Sequence, residues 1–123
     1  MTIKIFLFHR VSPQRDILWD PIAPEKFDQI IRFISKNYEV VQLEKAILEP
    51  PRKTDKPFAA FVFDDGYRDF ILYALPILKK YNCPTSMYVV TDCIEQQLPP
   101  WTYILDYHFI HSKILKLQLD TAL

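Results

Sequence analysis

The order of apolar and polar positions divides the chain into short strands and amphipathic helices. Ile3 to Phe8 is a run of strand formers and reads as a first buried strand. Phe27, Ile30, Ile31 and Ile34 recur at helical spacing, with Lys26, Asp28, Arg32 and Lys36 on the other side. This pattern predicts a packing helix that opens at Pro24-Glu25 and ends at Asn37-Tyr38. Glu39 to Val41 reads as a brief second strand and Leu43 to Leu48 as a short helical turn. Glu49 to Pro57, rich in proline and charge, reads as an exposed loop. Ala59 to Phe63 then predicts a fully buried strand. In the helix expected next, Asp69 suits the N-cap, and Ile71, Leu72, Leu75, Leu78 and Tyr81 are expected to face the sheet. Pro76 lacks the amide for an interior helical bond, so the helix either kinks there or restarts. Thr85 to Val90 is another strong strand, and strand, helix, strand at this spacing implies a right-handed parallel crossover. Trp101 to Leu119 returns to helix, with Ile104, Leu105, His108, Ile114, Leu115 and Leu117 forming a broad apolar side.

Composition narrows the class. A chain of 123 residues, half of them hydrophobic, has ample material for one core and is read as a single domain over 1–123. Fifteen basic and fifteen acidic side chains cancel, so the balance points to neither nucleic acid nor an anionic membrane surface. No apolar run approaches the roughly 20 residues of a membrane span, and no secretory leader is evident, so a cytoplasmic location is expected. Cys83 and Cys93 match no metal spacing and are expected as free thiols.

The chemistry concentrates in Phe61-Val62-Phe63-Asp64-Asp65-Gly66-Tyr67-Arg68-Asp69. An apolar strand ends in two carboxylates, followed by the only glycine of the chain. Successive strand residues face opposite sides, so Asp64 and Asp65 share a site only if the chain bends there, which glycine permits. Carboxylates forced together repel, and are tolerated when one binds a metal or when their pKa values split. An isolated Asp-Asp-Gly equally suits a solvated strand-to-helix turn. His9 follows the first strand, at the end of a sheet where α/β barrels keep their chemistry; bonding to backbone is its bland alternative.

The stretch Phe63 to Asp69, with Ala74-Leu75-Pro76-Ile77-Leu78-Lys79-Lys80-Tyr81 and Pro84-Thr85-Ser86-Met87-Tyr88-Val89-Val90, resembles the polysaccharide deacetylase family, the NodB homology domain. The resemblance runs from about Ile3 to Trp101. It implies an α/β fold, a partial, distorted (β/α) barrel with a mostly parallel sheet. It also implies a metal-dependent hydrolase that removes N-acetyl groups from an amino-sugar polymer. By resemblance Asp64 is the general base, Asp65 the carboxylate ligand of a divalent metal, most often zinc, and His9 a catalytic neighbour. The physical case agrees: a metal with an open position polarises the amide carbonyl and lowers the pKa of bound water to about 7.

The family completes its metal site with a later His-Ser/Thr-x-x-His motif. Here only His108 and His111 follow the aspartates, and starting the motif at His111-Ser112 places Leu115 where the second histidine belongs. The two histidines share a helix face, so joint binding is geometrically open; an amphipathic helix with polar edges is the plainer reading. The chain therefore reads as the first part of a deacetylase domain, truncated on its C-terminal side. Weak zinc binding, little turnover, and self-association through an exposed sheet edge are expected. A non-catalytic relative that binds a glycan or protein partner is the alternative. A magnesium-dependent phosphotransfer domain is a third reading, disfavoured because one glycine cannot build a glycine-rich phosphate cradle.

Overall fold

The computed structural model describes residues 2–52, 54–114 and 116. The chain forms two compact units, 1–90 and 91–123.

The first unit is built on the most apolar strand, here β3 (Phe58–Asp65). Phe58 to Phe63 are all buried, as a central parallel strand covered on both faces demands. Strand β1 (Ile3–Phe8) runs parallel along one edge, in register from Ile3 opposite Phe58 to Phe8 opposite Phe63. The other edge is shared. The two-residue β2 (Glu39–Val40) pairs with Phe58 and Ala59, and β4 (Thr85–Val89) pairs with Phe61 to Asp65. All pairings are parallel, and the four strands form an open sheet, not a closed barrel.

Helix α1 (Pro24–Asn37) covers one face. Pro24 occupies the first turn, where its missing N–H is not needed, and Glu25 and Lys36 suit the two ends of the helix dipole. Phe27, Ile31 and Ile34 are buried. They meet Phe8, Phe61 and Phe63, and ring centroids stand 5.2 Å apart for Phe8–Phe27 and 5.3 Å for Phe8–Phe63. Burying each such ring contributes about 1.5–3 kcal/mol.

The helix after β3 resolves the Pro76 question in a specific way. A π-helical segment, Phe70–Ala74, runs into α3 (Leu75–Lys80), with Pro76 in the first turn of α3. The wider π turn advances the inward face relative to a continuous α-helix. Phe70, Tyr73, Ala74, Ile77, Leu78 and Tyr81 pack on the core, while Ile71 and Leu72, expected to face the sheet, are exposed. Asp69 holds the N-cap position but makes no capping bond; its carboxylate is engaged elsewhere. Tyr81 Oη and Lys80 Nζ both donate to Asp28 on α1, at 3.0 and 2.8 Å, tying the two helices together.

The opposite sheet face is covered by α2 (Leu43–Leu48) near β4. Glu44 accepts from Ser86 Oγ at 2.5 Å and Tyr88 Oη at 2.7 Å. Along β1 the same face is open: Ile5 and Leu7 are 55% and 53% exposed.

The second unit contains α4 (Thr91–Glu95) and α5 (Trp101–His111). Helix α5 ends at His111, earlier than the expected Leu119, with Ser112 already extended. Its apolar residues Ile104 and Leu105 are exposed, as is Ile114 beyond it. Leu115 and Leu117 lie outside the described residues. No helix among the described residues is long and apolar enough to cross a membrane. Both cysteines are free, and burial pushes the Cys83 thiol above its ordinary pKa.

Candidate active site

Because β1 and β3 are parallel neighbours with Phe8 opposite Phe63, the residues beyond both strands emerge at one end of the sheet. That register brings His9 to Asp65 across 56 residues of chain, with Nδ1 3.0 Å from Oδ2. A carboxylate oxygen accepts, so His9 Nδ1–H is the donor of this bond and Nε2 is left as the other ring nitrogen. Such a pair fixes the ring and leaves Nε2 free for a proton or a cation. Both side chains are partly open, at 36% for His9 and 26% for Asp65.

The bend differs in detail from the expected one. The strand does not stop before the carboxylates; it includes both. Asp65 itself turns left-handed, φ 71°, and Gly66 follows at φ 75°. Aspartate tolerates this region better than most residues, and the turn swings its carboxylate toward His9. At Gly66 a side chain would be strained in conformation and crowded in space, since a Cβ would lie 2.9 Å from Val89 Cγ1. Asp64 keeps the strand's alternation, level with Tyr88 in the ladder. The Tyr88 phenol is held above its ordinary pKa by the Glu44 hydrogen bond first, then burial, with the charges of Glu44 and Asp64 adding to it.

The sequence reading missed a second layer around this pair. Arg10 Nε donates to Asp69 Oδ2 at 2.9 Å, and Arg10 Nη1 reaches Asp16 Oδ2 at 3.4 Å. The guanidinium also lies over the Tyr67 ring, 5.1 Å from its centroid. Burial opposes the Arg10 charge, but the Asp69 hydrogen bond and the nearby acidic charges outweigh it and raise the pKa. Among the described residues Asp69 Oδ1 is buried and has no hydrogen-bond partner, so Arg10 is what compensates this carboxylate. Trp19 stands edge-on to His9, with centroids 5.1 Å apart, and 6.3 Å from Tyr67. The only cue in the sequence was position: Arg10 adjoins His9, and Asp69 falls within the acidic stretch.

The donor set does not fit a complete zinc centre. Catalytic zinc takes about three protein ligands, and His9 and Asp65 offer one nitrogen and one carboxylate. Among the described residues no three His, Cys, Asp or Glu side chains gather in a way that could hold a metal ion. His108 and His111 lie on α5 in the second unit, where His111 Nδ1 donates to the Tyr107 carbonyl at 2.8 Å and its ring stacks on Tyr107 at 4.1 Å.

Three comparisons bear on this arrangement. A family model described as "Polysaccharide deacetylase" matches residues 51–116. No curated protein matches the sequence. Among solved structures, deacetylase PplD of Streptococcus pyogenes, in complex with acetate, superposes with a TM-score of 0.62 at 25% identity, covering 86% of this chain and 52% of that one. IcaB from Ammonifex degensii gives a TM-score of 0.59 at 23% identity, covering 71% and 37%. A de-N-acetylase from Aggregatibacter actinomycetemcomitans gives 0.61 at 21% identity, covering 73% and 38%. The chain thus spans about half or less of each of these three structures. The α/β architecture with its mostly parallel sheet matches that of these deacetylase structures.

Proposed function

Since this chain belongs to the polysaccharide deacetylase family, we propose that it carries the acidic part of a carbohydrate N-deacetylase site. The family is generally metal-dependent. In this reading Asp65 is a carboxylate ligand for a divalent cation, zinc by family resemblance, and Asp64 is the base that takes a proton from the attacking water. His9 stands beside Asp65 as a second polar group of the site. The substrate is a polymer bearing N-acetylated amino sugars. One observation carries the proposal: the left-handed turn at Asp65 aims its carboxylate at His9, 3.0 Å away, at the carboxyl end of two parallel strands. A merely solvated Asp-Asp-Gly turn has no need of that strain or that partner.

With two donors in place, the chain alone binds zinc weakly and turns over little substrate. The absence of a third convergent donor among the described residues also favours a second reading, a relative that binds a glycan without cleaving it. Equilibrium dialysis against zinc, on the wild-type chain, D64A and D65A, tests the roles. Weak binding by wild type, kept in D64A and lost in D65A, is the expected outcome. Equal binding by all three chains would remove Asp65 as a ligand. Stoichiometric micromolar binding by wild type would show that the site is complete after all. A deacetylation assay on an acetylated chitin oligomer then separates the enzymatic from the binding reading.

A further inference from the structure

Between Val11 and Ile22 the chain leaves the sheet end, runs over the site and returns. Its neck is cinched by a parallel bridge, in which Ser12 N–H donates to the Ile22 carbonyl at 3.0 Å and Ile22 N–H to the Arg10 carbonyl at 3.2 Å. Its tip is tied from inside. Asp16 Oδ1 accepts from the backbone N–H of Leu18 at 3.0 Å and Trp19 at 3.3 Å, and Asp20 Oδ1 accepts from Asp16 N–H at 3.2 Å. Those backbone bonds, then the Arg10 charge, hold the Asp16 carboxyl below its ordinary pKa. Arg10 joins this loop to Asp69 on the other side of the Asp65 turn. The loop is therefore an anchored structure.

What the anchoring presents is apolar. Ile17, Leu18 and Trp19 are all exposed, and Trp19 is 40% exposed although its ring stands beside His9. Trp19, His9, Asp20 and Pro21 line a pocket of about 140 Å³. That is below the roughly 300 Å³ at which pockets begin to enclose a whole small ligand. It suits one substituent of a ligand whose body lies across the mouth.

We propose that Trp19 is a sugar-stacking platform that seats one pyranose ring of an N-acetylated polymer beside His9 and Asp65. One side of a pyranose is a patch of C–H groups, weakly positive and apolar, and an indole face is electron-rich and apolar. Trp19, 40% exposed, carries such a ring on a loop held by its own hydrogen bonds, so little ordering is needed on binding. The Arg15–Asp20 ion pair at the same loop offers a donor and an acceptor for ring hydroxyls. The proposal rests on the carbohydrate reading above but does not depend on bound metal.

Calorimetric titration of chitohexaose into the wild-type chain, W19A and W19F tests it. Fluorescence in a W101F background, where Trp19 is the sole tryptophan, gives a second readout. Saturable binding with a Trp19 emission shift, weakened about tenfold in W19A and largely kept in W19F, is expected. Trp19 is exposed at a loop tip, so both variants should keep the wild-type circular dichroism. Equal affinity in W19A, or no binding by wild type, would overturn the platform. So would an emission change on adding phosphatidylcholine vesicles but none on adding sugar, which would make the Ile17-Leu18-Trp19 tip a membrane contact. If zinc binding fails the dialysis test while W19A still weakens sugar binding, the platform stands and the metal roles fall. The reverse pair of results separates them the other way.

Discussion

Replacing Gly66 by alanine probes the turn on which the site depends. Two costs add. The residue sits at φ 75°, where a Cβ costs about 1–2 kcal/mol. The new Cβ would lie 2.9 Å from Val89 Cγ1. Valine is stiff about χ1, so moving that methyl off its rotamer costs about 0.5–1.5 kcal/mol. Against these, alanine restricts the unfolded chain and returns about 0.4–1 kcal/mol. The balance is a loss of about 2 kcal/mol for G66A. With a urea slope of about 1–3 kcal/mol per molar, the midpoint should fall by roughly 1 M.

The double variant divides the two costs. In G66A/V89A the methyl that would collide is gone, so about 1 kcal/mol of the loss should return, while the conformational cost stays. Val89 is about half exposed at the end of β4, so V89A alone should cost little. The assay is urea unfolding of the four chains of the cycle, followed by circular dichroism. A G66A midpoint matching wild type would refute the strain. Complete rescue by V89A would show that only crowding mattered and that the left-handed backbone costs nothing.

Two further outcomes follow from the same contacts. R10K keeps the charge but not the fork that spans Asp69 and Asp16, so the buried Asp69 carboxylate loses its partner; a loss of about 1.5–3 kcal/mol in urea unfolding is expected, and an unchanged midpoint would contradict it. Glu44 is held below its ordinary pKa by Ser86 and then Tyr88. A lowered folded pKa means stability that is present above the unfolded value of about 4.3 and lost as pH falls through the folded one. The wild-type urea midpoint should therefore drop on going from pH 6 to pH 3 by more than that of E44Q; equal slopes would show that the Glu44 contacts are too solvated to matter.

The sequence exposed the strands and the acidic stretch because those signals are local. Six consecutive buried residues in β3 need no partner to be read. Nor does the helical spacing of Phe27, Ile30, Ile31 and Ile34 in α1. What stayed hidden depended on pairs far apart in the chain. Arg10 meets Asp69 across 59 residues only because β1 and β3 run in register. Glu44 meets Ser86 and Tyr88 only because α2 lies over β4. The inward face after β3 differs for another reason: a 3.6-residue period places Ile71 inward, and five residues of π-helix shift the phase, burying Ala74 and exposing Ile71.

The same dependence explains why Asp69 left its cap. A capping carboxylate bonds to the backbone N–H groups of its own helix, a gain of about 1 kcal/mol available to any helix start. Here a guanidinium arrives from just beyond β1, and a charge-assisted bond to it is roughly twice as strong as a neutral one. Asp69 is largely buried, 11% exposed, so water does not screen that preference. The helix start gives up its side-chain cap. In exchange the segment after the Asp65 turn is locked to the segment that follows β1 and carries His9, and through Asp16 to the loop carrying Trp19. One arginine thus ties together three segments around the site, and the local rule for helix starts yields to the long-range contact.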